Sequence, residues 1–181
     1  MSNLSELTPG TWTIDPAHST VGFVARHLMV TKVRGRFTDF SGTITIADDP
    51  LQSSVEAIVQ LESVSTGDAG RDGHLKGADF FDTDFHKTME FRSTSIRQNG
   101  SDYVLNGDLT IKGVTKPVSF ELEFDGVNAD PWGNTKVGFT AETEINRKDW
   151  GLEWNVALEA GGVVVSDKVR LHIDAEAVLQ R

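Results

Sequence analysis

The chain is predicted to be all-β, an antiparallel sandwich or barrel of about eight strands with a short helix and an irregular segment around 65–88. Three observations lead there. Apolar and polar residues alternate with period two along most of the chain, the mark of strands with one buried face. Clusters of Gly, Pro, Asn and Asp separate the alternating segments at short intervals. Finally, 181 residues without a linker or low-complexity tract suit one domain, 1–181, able to bury a sizeable core.

In chain order, Val21, Phe23, Ala25 and His27 share one strand face, opposite Gly22, Val24 and Arg26. Similar segments lie around 37–46, 52–61, 89–97, 102–112 and 136–146. Val118, Phe120, Leu122 and Phe124 alternate with Ser119, Glu121 and Glu123. Val169, Leu171, Ile173, Ala175 and Ala177 alternate with Arg170, His172, Asp174 and Glu176. Turns are expected at Asp48-Asp49-Pro50, Asn99-Gly100 and Asp130-Pro131-Trp132-Gly133-Asn134. Ser65 to Thr88 breaks the rhythm. Thr66 is the candidate cap of a helix from about Asp68 to Lys76, which Gly70 and Gly73 weaken by roughly a kcal/mol each relative to Ala. A second irregular stretch, Lys148 to Gly162, holds Trp150 and Trp154.

Composition excludes several function classes. Seventeen basic and 27 acidic residues leave a net charge of −10, which argues against nucleic acid as a partner. The same balance disfavours adhesion to anionic lipid. The chain has no cysteine, so disulfides and thiolate-zinc sites are excluded. No run of strictly apolar residues exceeds three, so stable membrane insertion by a helix is not expected. Met1 to Glu6 has neither a basic segment nor an apolar stretch, and a cytoplasmic location is the expectation.

The candidate chemistry is sparse. His18, His27, His74, His86 and His172 show no metal-ligand spacing, so no metal is expected and hydrogen-bonding roles are favoured. Asp15, His18 and Ser19 look like a catalytic set, but neighbours in an extended stretch point to opposite faces, and Ser19 has no nucleophile-elbow context. A turn into a strand, bent by Pro16, is the simpler reading, and no catalytic residue is expected. Arg26, Lys32, Arg34 and Arg36 form a positive island, read either as a cradle for an anionic head group or as a solvated hairpin rim. Arg71 and Asp72 either meet a ligand or pair with local charges. Ten Phe stand against one Tyr, so the aromatic surface is nearly free of hydroxyls. Phe80-Phe81-Asp82-Thr83-Asp84-Phe85 places an aromatic cluster in a loop that needs an apolar partner.

These motifs, in this order, resemble the YceI-like family. The resemblance runs through Trp12-Thr13-Ile14-Asp15-Pro16-Ala17-His18-Ser19 with Phe23 and His27, then Gly35-Arg36-Phe37 and Ser63 to Asp68. It continues through Arg71-Asp72-Gly73-His74-Leu75, Asp79-Phe80-Phe81-Asp82, Gly107 to Lys116, and Asn146-Arg147-Lys148-Asp149-Trp150-Gly151. It spans roughly residues 10–179. Two departures stand out: many relatives begin with an export signal, and many have proline after an aromatic near position 86, where this chain has Lys87-Thr88. The second predicts a different lead into the following strand.

The resemblance implies a lipocalin-like barrel with an apolar tunnel that stores or carries an isoprenoid-type lipid, such as a polyprenyl phosphate or an isoprenoid quinone. No cofactor beyond that lipid is expected, and a second copy of the chain is a candidate partner. The tunnel wall is expected from Phe23, Phe37, Phe91 and Phe139, with Phe81 in a lid formed by 65–88. His27, Arg71 and His74 are the candidates to meet a polar head. Two other classes stay open. An enzyme whose site assembles only on folding would show paired ionisable groups deep in a pocket. A stress-related scaffold would show a filled barrel.

Overall fold

The computed structural model describes residues 4–28, 30–155 and 165–181. Residues 1–3 of the N-terminal stretch, and 156–162 of the irregular stretch expected at 148–162, lie outside them. The first three staves of the barrel are broken strands: β1 (Gly10–Ile14) with β2 (Thr20–His27), β3 (Thr31–Phe37) with β4 (Phe40–Ile46), and β5 (Ser54–Gln60) with β6 (Val64–Ser65). Five long strands follow, β7 (Thr88–Asn99), β8 (Asp102–Ile111), β9 (Val114–Ala129), β10 (Thr135–Asn146) and β11 (Lys168–Leu179). The sheet runs β1-β4-β5-β7-β8-β9-β10-β11 and returns to β1, closing an antiparallel eight-stranded barrel. β11 makes the closure by pairing Leu179 with Trp12 of β1 and Leu171 with Phe23 of β2.

Local chemistry explains where strands stop. Between β1 and β2 the Asp15 carboxylate accepts the Ala17 N–H at 3.0 Å, and Pro16 starts a 3-10 turn through His18. After β4, Asp49 does the same for the Leu51 N–H at 3.1 Å. Lys112 and Gly113 both take positive φ, 52° and 74°, and form the two-residue hairpin between β8 and β9. The Asp130 carboxylate accepts the N–H groups of Trp132 and Asn134, each at 2.9 Å, and thereby shapes the β9–β10 turn.

Helix α1 (Ala69–Lys76) forms where expected, but with a different cap. Asp68 accepts the Arg71 N–H at 2.9 Å. Thr66 lies two residues too early; its hydroxyl instead donates to the Asp72 carboxylate at 2.6 Å. The chain then folds back on the helix end, with the Phe81 N–H on the Leu75 carbonyl and the Thr83 N–H on that of Lys76, both 2.9 Å.

The alternation read from the sequence matches the burial. Val118, Phe120, Leu122 and Phe124 are buried while Ser119, Glu121 and Glu123 are exposed. Buried indoles keep partners: Trp12 donates to the Thr8 carbonyl at 3.0 Å and Trp150 to that of Leu109 at 2.9 Å. One barrel end is plugged by Leu4 and Leu7, with the Leu4 N–H on the Tyr103 hydroxyl at 3.1 Å. Arg147 is buried near the other end, donating to the Leu152 and Ser166 carbonyls at 2.5 and 2.8 Å. Burial pushes its pKa down, while Asp167, 3.9 Å away, favours the charge.

Two glycines seat phenylalanine rings. A Cβ on Gly35 would collide with the Phe23 ring, and one on Gly107 with the ring of Phe91, besides lying 2.7 Å from the Arg92 carbonyl. Gly107→Ala is therefore expected to destabilise the fold by about 1–3 kcal/mol. Gly73, in open space on α1, should give the opposite sign, with Gly73→Ala stabilising by about 0.5–1 kcal/mol. Urea denaturation of the two variants beside the parent reads both.

On the outer face, His172 Nδ1 lies 2.6 Å from Glu142 and its Nε2 3.0 Å from Asp174, while Arg170 bonds the other oxygen of Glu142 at 3.0 Å. The Arg170 and then the His172 bonds hold Glu142 below its ordinary value of 4.5. Burial opposes the imidazolium of His172, but the bonds to Glu142 and Asp174 together raise it above 6.5. The histidine's contribution is thus fully present below 6.5 and is lost as pH rises through its raised value. That of Glu142 is present above 4.5 and is lost as pH falls through its lowered value. In an NMR titration, Glu142→Gln should shift the His172 midpoint down; an unmoved midpoint would mean that the pair does not form in solution.

Candidate functional site

The barrel interior is not filled. A cavity of about 160 Å³ runs along it, from Leu4 at the plugged end to Phe37 on the wall at the other. Phe37, Phe40, Phe91, Phe120 and Phe139 supply an aromatic wall, completed by aliphatic side chains such as Ile44 and Ile173. Three serines, Ser19, Ser41 and Ser53, are the polar side chains in that lining. Two have partners already: Ser19 bonds both the N–H and the carbonyl of Glu176, and Ser53 accepts the Ala47 N–H at 3.0 Å. No ionisable side chain lines the cavity.

Of the expected wall residues, Phe37, Phe91 and Phe139 line the cavity directly. Phe23 and Phe81 do not; they pack behind Phe37, with ring centroids 5.6 and 5.9 Å from it. Phe81 follows α1, so the 65–88 segment meets the cavity through this aromatic relay. Phe80 is buried beside Trp154, at 5.5 Å, with the Arg147 guanidinium 5.9 Å from its ring centre. Phe40 and Phe120 are lining residues that the sequence selection missed, although both fall on the inward parity of alternating strands.

The three candidates for a polar head stand elsewhere. His27 has the parity of Phe23 but is exposed, because by that point β2 has run beyond the barrel wall to the rim, where it bridges to Val165. Arg71 donates to the Thr66 hydroxyl at 2.8 Å and to its carbonyl at 3.1 Å. His74 bonds Asp79 at 2.9 Å and presses edgewise on Trp154, 4.6 Å between centroids. Although three positions apart on a formed helix, the two side chains serve different neighbours. Arg71 and His74 stand on α1, at the barrel end opposite Leu4 and Leu7, and neither lines the cavity. Arg26, Lys32, Arg34 and Arg36 are all exposed on the hairpin and none lines the cavity.

Asp15 and His18 do meet, contrary to the expectation for an extended stretch, because a 3-10 turn brings residues i and i+3 onto one side. His18 Nδ1 lies 2.8 Å from Asp15 and 3.5 Å from Glu176. The hydrogen bond to His18 holds the Asp15 carboxyl below its ordinary value. Ser19 is not part of a relay, since its hydroxyl is turned to the backbone of Glu176. The Asp15, His18 and Glu176 donors are close enough to share an ion, but the Lys136 ammonium already sits 3.7 Å from both carboxylates and supplies positive charge there.

Comparison with known proteins agrees with this architecture. The YceI-like domain matches residues 12–177. Protein YceI of Escherichia coli O17:K52:H18 is 39% identical over 165 residues, covering 91% of this chain and 83% of that protein. The crystal structure of BcnA from Burkholderia cenocepacia superposes with a TM-score of 0.77 at 23% identity, over 90% of this chain and 98% of BcnA. A polyisoprenoid binding domain from Saccharophagus degradans gives 0.72 at 18% identity, over 93% and 98%. With the match spanning nearly the whole barrel, the chain belongs to the YceI-like family.

Proposed function

We propose that this barrel binds an isoprenoid-type lipid, with the chain in the cavity and the head group at the end covered by α1, for storage or transport. The observation that carries this reading is the cavity wall: aromatic and aliphatic, without an ionisable side chain, and with two of its three hydroxyls already bonded. Such a wall offers nothing to a charged or strongly polar ligand, because burying an unpaired polar group costs several kcal/mol. It suits a hydrocarbon. The naming of the Saccharophagus neighbour as a polyisoprenoid binding domain supports the class of hydrocarbon.

Burial would drive binding. Each methylene removed from water contributes about 0.8 kcal/mol gross, and net affinity for large ligands is nearer ~0.3 kcal/mol per heavy atom. A void of about 160 Å³ is close to that which admits benzene in an engineered apolar core, about 150 Å³. A chain of several isoprene units therefore needs wall rings to turn aside, and the linked rings of Phe23, Phe37 and Phe81 give α1 and its loop a route to respond. The groups whose pKa departs from the ordinary lie outside the cavity lining, among them Asp15, Glu142 and His172. This favours binding over chemistry. Among the described residues no helix is long and apolar enough to cross a membrane.

Mass spectrometry of organic extracts and titration with a farnesyl or longer isoprenoid test the reading. Lipid recovered from the protein, or saturable uptake, is the expected result; failure of both would refute it. Ala57→Phe, which places a ring in the lining, should abolish uptake while the protein still melts cooperatively. Phe139→Ala should admit bulkier chains, at a stability cost of about 3–5 kcal/mol.

For the head group, Arg71 and His74 remain our candidates, since both stand on α1, whose return loop carries Phe81 to Phe37, and both make exposed hydrogen bonds that a ligand can replace. Arg71→Ala should weaken a polyprenyl phosphate about tenfold, the lower end for a charge-assisted hydrogen bond. It should leave a neutral isoprenoid of equal length unchanged. Equal losses for both ligands would show that Arg71 shapes the wall instead of reading charge.

A further inference from the structure

The β2–β3 hairpin has the opposite electrostatic character to the rest of the chain. No Asp or Glu occurs between Asp15 and Asp39, a span that holds Arg26, Lys32, Arg34 and Arg36. The remainder carries thirteen basic against 27 acidic residues. Strand register puts all four cations on one face, with Arg26 opposite Lys32, Arg34 opposite Val24 and Arg36 opposite Gly22. All four are exposed, and among the described residues none has an ion-pair partner. The nearest carboxylates on this face of the neighbouring strands are engaged elsewhere, Asp174 of β11 by His172, and Glu142 of β10 by Arg170 and His172. Like charges directly opposite in a ladder are destabilising, so Arg26 beside Lys32 is an arrangement without internal benefit.

Apolar side chains crown the same hairpin. Val30 is 75% exposed and Leu28 42%. Leu28 takes φ of 53°, which turns the chain back at the tip. An exposed apolar tip above a patch of cations is complementary to one kind of surface, a bilayer with hydrocarbon beneath anionic phosphate. The net charge of −10 does not veto this. At physiological ionic strength fields decay over about 8 Å, so a docking hairpin meets the surface with its own four charges while distant carboxylates are screened.

We propose that the β2–β3 hairpin docks this protein on anionic phospholipid bilayers, with Leu28 and Val30 entering the head-group region and Arg26, Lys32, Arg34 and Arg36 over the phosphates. Docking is peripheral and reversible. β3 pairs with β6 beside α1, Arg36 opposite Ser65, so the hairpin rises from the end of the barrel that α1 covers. Where the lipid-binding reading also holds, docking brings that end to the membrane from which a lipid would be drawn.

Co-sedimentation with phosphatidylcholine vesicles containing about 30% phosphatidylglycerol tests the proposal. The parent should bind these, should not bind pure phosphatidylcholine, and should be released near 1 M salt, where screening shrinks to about 3 Å. Arg34→Gln with Arg36→Gln should weaken binding by about fivefold per cation, and Leu28→Ser with Val30→Ser should also weaken it, each with an unchanged melting temperature. No binding by the parent, equal binding to neutral vesicles, or variants that bind like the parent would overturn docking. Uptake of an isoprenoid from detergent micelles separates the two readings. Variants that fill normally from micelles but fail on vesicles isolate docking; a parent that docks yet takes up nothing leaves docking standing and removes the carrier reading.

Discussion

Closure of the sheet is the constraint from which the other features follow. A strand edge is a row of unpaired N–H and C=O groups, and this molecule covers the edges of its main strands by letting β11 pair twice, with β10 along one side and with β1 and β2 along the other. Closing on two half-strands requires the break between them. The Asp15 cap and the Pro16–His18 turn are therefore part of the closure, as is the Ser19 hydroxyl on the backbone of Glu176 in β11. Breaks in the next two staves, before Phe40 and after Gln60, let the first three strands bend while the five that follow run on.

Closure also decides where polarity goes. Every second side chain of eight strands must face an interior without water, so the inward set is aliphatic and aromatic and the charges stand outside. This explains how a chain with 27 acidic residues lines its cavity with no ionisable group. Outside, some of the carboxylates are paired in small exposed groups, such as Glu142 with Arg170 and His172. Exposed pairs of this kind contribute little to stability; their effect is to arrange the surface potential. The β2–β3 hairpin stands apart because it gathers four cations on one face with no acidic residue of its own.

The two barrel ends are built differently. Leu4 and Leu7 plug one with apolar side chains and a hydrogen bond to Tyr103. The other is covered by α1 and its return loop, joined to the wall through Phe81 and Phe37 and to the 147–154 stretch through His74, Phe80 and Trp154. Buried Arg147 ties that stretch together by donating to the Leu152 carbonyl within it and to the Ser166 carbonyl beyond it. A lid held by ring edges and exposed hydrogen bonds can move at lower cost than a stave of the barrel, since no ladder has to open.

Strand positions, inward parity in the 118–124 and 169–177 segments, and the turns at Asp49, Gly100 and Asp130 were legible from the sequence, because alternation and turn chemistry are properties of short segments. The family was legible from the order of its motifs. Other features depend on groups distant in the chain. His27 has inward parity yet is exposed, since parity does not say where a strand leaves the wall. Asp15 and His18 meet because a turn, not a strand, joins them, and Glu176 joins them only through the β1–β11 closure. Whether inward phenylalanines fill the barrel or leave a void is a matter of summed volumes over eight strands, which no single segment carries. The sequence alone thus determined the strands, their apolar faces and the family. Only the tertiary structure decided which faces enclose a cavity and which charges are left without partners, because both depend on contacts between residues that alternation and turn chemistry do not connect.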